Sequence, residues 1–276
     1  MAEELKRARK AVRELSKTLK SLPIDPPPEE VHRLRTTTRR VEAIVSVLAQ
    51  VEGKESRRVL KSIEPIRKAA GGVREMDVMI VNAHKLARYV AGDSLTRLLD
   101  HLQIARQQNA EELRRVLGHR RNTARENLKQ YSRYIQTALA PGKKAESANG
   151  LPAPSHEGVH SAAIKVVREL GEWPPLSTEN IHSFRLKVKE LRYILQLSAD
   201  ADSSLLETLG DVQRLIGDWH DWQQLEEIAR ELLNTERDGA LLTRIGETSR
   251  KRFNQALKAA NTLRGKYLTM PFAQGV

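Results

Sequence analysis

An all-α fold is predicted by three features of this 276-residue chain. Aromatic residues are only 4% of it, while Leu, Ala, Arg, Lys, Gln and Glu dominate; these side chains lose little rotamer freedom in a helix. Apolar residues recur every three or four positions, the period of a helix with one buried face. Clusters rich in Pro and Gly then cut the pattern into helix-sized pieces.

The elements follow in order. "MAEELKRARKAVRELSKTLK" at 1–20 is an amphipathic, charged helix. It lacks the apolar core of about 7–15 residues that a secretory signal carries. No window approaches the roughly 18 uncharged apolar residues of a membrane span. The chain has no cysteine, which excludes disulfides, thiolate metal sites and cysteine nucleophiles and fits a reducing cytoplasm. "SLPIDPPPEE" at 21–30 stops the first helix, and a His-led helix, "VHRLRTTTRRVEAIVSVL", follows at 31–48. Helices at 60–77 and from Arg106 come next, with an extra basic helix near 119–139. "APGKKAESANGLPAPS" at 140–155 forbids a continuous helix. It is expected to link two helical halves, 1–145 and 155–276, of one domain. In the second half "WPPLSTEN" at 173–180 stops a helix, and another His-led helix, "IHSFRLKVKELRYILQL", begins at 181.

The halves resemble each other. Residues 31–48 align with 181–198 at an offset of 150, and 60–77 align with 206–223 at an offset of 146. Gly71 meets Gly217, Arg74 meets His220 and Glu75 meets Asp221 in that alignment. Arg106 and Arg250 head a further matched pair of segments. A unit of about four helices used twice predicts two similar four-helix bundles related by pseudo-twofold symmetry.

Charge is arranged as well as abundant. Net charge is +12, with 31 Lys and Arg against 18 Asp and Glu up to residue 150 and 16 against 17 after it. Such a surface attracts polyanions. At about 100° per residue, His182, Arg185, Lys189 and Arg192 fall within an arc of roughly 80° and span about 15 Å. They form a cationic rail beside a buried face of Ile181, Phe184, Val188, Leu191 and Leu195. His32, Arg35 and Arg39 repeat the rail beside Leu34, Val41, Val45 and Leu48, with Glu42 in the place of Arg192. Like charges at i,i+4 repel by a few tenths of a kcal/mol, a cost that an anionic ligand offsets.

Other motifs are present. His156 and His160 have the His-Glu-x-x-His spacing of a zinc site. Glycine within the would-be helix, and no third ligand beyond Glu172 or Glu179, favour Ser155 as a helix cap instead. The dipeptide His220-Asp221 occurs in metal-dependent phosphohydrolases, but its counterpart is Arg74-Glu75, so His220 reads as a cation in Arg74's place. Trp219 and Trp222 read as core residues. No cofactor and no metal ligand set is expected.

These residues resemble the CHAD family, the conserved histidine α-helical domain. The resemblance rests on His32, Arg35 and Arg39, on "HSFRLKVKELRY" with Lys189 and Arg192, and on "GGVREMDV" and "GDWHDW" at equivalent places. It implies two four-helix bundles around a basic central groove or pore that binds inorganic polyphosphate. Some relatives carry a triphosphate tunnel metalloenzyme domain, which nothing in this sequence resembles, so hydrolysis is not expected. The site read from the sequence comprises His32, Arg35, Arg39, Arg74, Arg106, His182, Arg185, Lys189, Arg192, His220 and Arg250. Its expected ligand is inorganic polyphosphate or another polyanion, with no membrane partner and a location in the cytoplasm or on polyphosphate granules. Bound phosphate would draw His32, His182 and His220 toward protonation, making binding tighter as pH falls. The alternatives are a helical nucleic-acid binder and a metal-dependent phosphohydrolase.

Overall fold

Every element of the computed structural model is helical among the described residues, which are 2–48, 54–90, 92–138, 156–197 and 202–268. In chain order they are α1 (Ala2–Ser21), α2 (Pro28–Leu48), α3 (Lys54–Leu86), α4 (Asp93–Ala138), α5 (His156–Gly171), α6 (Ile181–Leu197), α7 (Ser203–Leu232) and α8 (Thr235–Leu263), followed by a π-helical turn at Arg264–Leu268. No helix among the described residues is long and apolar enough to cross a membrane.

The helices gather into two compact units. The first takes Met1–Asp77 and Ile104–His160 with Leu197–Ala199; the second takes Val78–Gln103, Ser161–Gln196 and Asp200–Val276. The division falls within α3 and α4, whereas the 140–155 segment chosen from sequence lies outside the described residues.

In the first unit the apolar stripes of α1 to α4 share one core. Val12, Leu15 and Leu19 of α1, Val31, Leu34, Val41 and Val45 of α2, Ile63, Ile66 and Ala70 of α3, and Leu113, Ala124 and Leu128 of α4 are almost wholly removed from solvent. Their spacing of three, four, seven or eleven residues is the helical period that sequence patterning exposes. Pro28 opens α2, where its missing N–H costs nothing, and Glu29 and Glu30 favour the positive end of the helix dipole. The hydroxyls of Thr37 and Thr38 donate to the carbonyls of Arg33 and Leu34, so a run of three threonines stays helical with its buried polar groups satisfied.

The second unit is built on α6, α7 and α8. Ile181, Phe184, Val188 and Leu191 are fully buried as the periodicity requires. Ile194 is buried and Leu195 half-buried, so the apolar face broadens toward its end. The side chain of Leu48, the last residue of the buried face read on α2, lies outside the described residues. Trp219 and Trp222 are core residues, the Trp219 ring standing 5.2 Å from that of Phe253.

Helix ends are fixed by side chains. Asp202 caps α7 by accepting from the Ser204 amide at 2.8 Å, and Asn234 caps α8 by accepting from Glu236 at 2.8 Å. Asp238, itself buried, accepts from the Asn234 amide, the Ser94 hydroxyl and the Arg97 guanidinium, which ties the start of α8 to α4. Between α5 and α6, Asn180 accepts from the Ser177 amide and donates to the Pro175 carbonyl, ordering the break that the two prolines impose.

One expectation is corrected. No separate helix begins near 119, because α4 runs unbroken for 46 residues. Gly118 costs such a helix about 1 kcal/mol. Leu113, Val116, Leu117, Ala124 and Leu128 continue the buried face straight past it.

Phe184 packs edge-on against Trp173 with ring centroids 5.7 Å apart and is fully buried beside the basic face of α6. Phe184→Ala is expected to lower the unfolding free energy by about 3–5 kcal/mol in urea titrations. A loss below about 1 kcal/mol would show that this face of α6 is not part of the core.

Candidate anion-binding site

The basic residues of α6 lie along α7. The His182 and His220 rings are 4.7 Å apart. Arg185 lies against Gly217, where an added Cβ would stand 2.9 Å from Nη2 and 3.4 Å from Cζ. Arg192 lies against Gly210, where a Cβ would stand 3.3 Å from Cζ. Rising numbers on α6 meet falling numbers on α7, so the two helices run antiparallel through these contacts.

Gln213 sits between the two glycines and holds both arginines. Its backbone carbonyl accepts from Arg185 Nε at 3.0 Å, and its side-chain Oε1 accepts from Arg192 Nη1 at 3.2 Å. In an α-helix that carbonyl also receives the amide of residue 217. Glycine at 217 leaves it open to a second donor. Lys189 lies 5.5 Å from the centre of the Tyr193 ring, a cation–π contact on the same helix.

The first unit carries a related arrangement between α2 and α3. Arg35 Nε is 3.9 Å from the place of a Gly71 Cβ. His32 is near enough to Arg74 and Arg35 for both to disfavour its protonation. Further along, Arg67 Nε meets Glu42 Oε2 at 2.9 Å. This explains the departure from the repeat: where the second unit has Arg192 on α6 bonded to Gln213 on α7, the first has the acid on α2 and the base on α3. Arg39 is half-buried on α2.

Two predicted site residues stand differently. Arg106 donates to Asp77 at 2.7 Å, and the carboxylate is buried, so this cation has an internal counter-charge. Arg250 is exposed on α8, where it shares a shallow surface hollow with Lys251 and Lys258. Neither residue is joined to the α2–α3 or α6–α7 contacts described above. The side chains of His156 and His160 lie outside the described residues.

The electrostatics follow from crowding. Burial, helped by His182 and Arg185, pushes the His220 imidazole down to about 4. Burial, then Arg74 and Arg35, also holds His32 below its ordinary value. His220 is therefore neutral near pH 7, and an anion placed here would reverse the sign of the local field.

Sequence reasoning missed Gly210, Gln213 and Arg67 as parts of these arrangements. The signal for the first two was present. Two glycines seven residues apart inside a long helix fall on one face, and each costs helix stability unless something packs there.

A family model described as "CHAD domain" matches residues 6–230. The crystal structure of the CHAD domain from the plant Ricinus communis is similar with a TM-score of 0.65 at 14% identity, covering 95% of this chain and 89% of that one. PptA from Streptomyces chartreusis is similar with a TM-score of 0.63 at 14% identity, covering 96% and 97% respectively. At such identities the likeness is one of fold. No curated protein matches the chain.

The depressed His220 value has a consequence for stability. Unfolded, the imidazole takes a proton near 6.5; folded, it does so only near 4. Between those values the unfolded state binds more protons, so stability falls as pH drops from 6.5 toward 4. Melting curves of the ligand-free protein should show this decline, and His220→Gln should shallow it. An unchanged slope in the variant would mean that His220 is not held neutral.

Proposed function

Since the chain belongs to the CHAD domain family, we propose that it binds inorganic polyphosphate through the cations of α2, α3, α6 and α7 and acts without catalysis. The observation that carries this reading is the placement of arginines over glycines of a neighbouring helix in both units, each beside a histidine: Arg35 over Gly71 near His32, and Arg185 over Gly217 near His220. A polyphosphate chain bears charge at every unit and has no bases to read, so a receptor needs closely spaced cations rather than a sequence-reading surface. Arginine offers paired N–H donors to phosphate oxygens, while lysine at 189 serves as a point charge.

In this reading His32, Arg35, Arg39 and Arg74 form one contact set, and His182, Arg185, Lys189, Arg192 and His220 form the other. Arg106, paired with Asp77, and Arg250, exposed on α8, stand outside both sets. The protein would meet its ligand in the cytoplasm, including on polyphosphate granules. A nucleic acid would be attracted by the same charge, and the buried state of Trp219 and Trp222 removes two of the aromatic platforms on which bases could stack.

Arg35→Ala with Arg185→Ala should weaken long-chain polyphosphate binding by about tenfold or more, since each removes a charge-assisted hydrogen bond. The slope of log affinity against log salt should become shallower by roughly one unit or more. Melting temperature should change little. Equal affinity and equal salt slope for polyphosphate and duplex DNA in the parent protein would instead favour the nucleic-acid reading.

Binding should also take up protons. An anion beside His220 raises a value that otherwise sits near 4, so affinity should rise as pH falls from about 7 to 5. Calorimetry at pH 6 in buffers of different ionisation heat checks this. No net proton uptake would place the phosphate away from the histidines.

A further inference from the structure

Glycines at 210 and 217 are an unexpected choice for the interior of α7, a 30-residue helix, because glycine is the least favourable helix residue after proline. Each is covered by one arginine of α6. Gln213 lies between them on the same face, with an atom bonded to each of those arginines. We propose that Gly210, Gln213 and Gly217 are positioning residues for the anion site: a low floor that holds the Arg185 and Arg192 guanidinium groups in place before the ligand arrives. The proposal rests on the polyphosphate reading and adds residues that carry no charge.

The geometry gives each residue a task. At 217 any Cβ would meet Nη2 at 2.9 Å and Cζ at 3.4 Å, so the Arg185 head group must move if a methyl group is added. Moving it also disturbs its bond from Nε to the Gln213 carbonyl, now 3.0 Å long. At 210 the clearance from Arg192 Cζ is 3.3 Å, tight but less restrictive. The Gln213 amide fixes Arg192 through Nη1 at 3.2 Å without neutralising it, whereas a carboxylate there would cancel its charge. The first unit shows that alternative: Arg67 is met by Glu42, and Glu64, which aligns with Gly210, is paired with Lys68 at 2.8 Å.

Holding a flexible cation in advance lowers the ordering cost of binding. It also sets position finely, and hydrogen-bonded recognition weakens when a donor is misplaced by a fraction of an ångström. Replacing either glycine with alanine leaves net charge unchanged and improves helix propensity, so loss of affinity would come from geometry.

The test is a double-mutant cycle read by polyphosphate titration at fixed salt. Gly217→Ala should weaken binding roughly fivefold in the parent protein, on the scale of one misaimed charge-assisted hydrogen bond, and less than about twofold in the Arg185→Ala background. Gln213→Ala, which keeps the backbone carbonyl, should weaken binding about threefold in the parent protein and have no further effect once Arg192→Ala is present. It decides the matter if Gly217→Ala does not fold. Unchanged binding in Gly217→Ala and Gln213→Ala, or losses that persist in full without the partner arginine, would overturn the positioning role. A parent-like affinity of Arg185→Ala and Arg192→Ala themselves would instead overturn the polyphosphate reading of this site.

Discussion

Where Arg185 lies on α7, two requirements meet at one point: a half-buried guanidinium must find acceptors, and it must keep its charge available. A carboxylate partner would meet the first at the expense of the second. The backbone carbonyl of Gln213 serves the first without harm to the second, since a neutral dipole fixes the group without cancelling its charge. That contact needs a helix surface bare of side chains, which Gly217 supplies. It also needs α6 to be held at a set height above α7, which the buried series Ile181, Phe184, Val188 and Leu191 provides from the adjacent face. The basic face therefore depends on the apolar one.

Much of this was legible in the sequence. The all-helical class followed from composition and period, and the buried residues of α6 were assigned almost position by position. The arcs of cations on α2 and α6 were read from spacing alone, because a helix fixes the direction of each side chain once its period is known. Pairing between helices was not legible in the same way. Nothing local announces that Arg106 meets Asp77, 29 positions away, or that Glu42 meets Arg67; both are tertiary contacts between helices. The length of α4 was misjudged for a related reason. A local count sees Gly118 as a break, while the continuous buried face of α4 overrides it.

The α2–α3 and α6–α7 contacts use their charge differently. Residues up to 150 carry the whole net excess, yet several of their cations there are spent within the fold: Arg67 on Glu42, Lys68 on Glu64, Arg106 on Asp77. The nearly neutral remainder of the chain places Arg185 and Arg192 against a carbonyl and an amide. Local arrangement, more than net charge, thus distinguishes a basic site from a basic surface. The neutral state of His220 fits the same design, since a third cation beside His182 and Arg185 would be costly until an anion arrives.

The most direct test is to follow the Nε–H resonances of individual arginines by NMR while short-chain polyphosphate is added. Arg35, Arg185 and Arg192 are expected to shift first and saturate together, ahead of exposed arginines of α4 such as Arg114 and Arg120. Shifts spread evenly over the exposed arginines, with Arg185 and Arg192 unmoved, would contradict it.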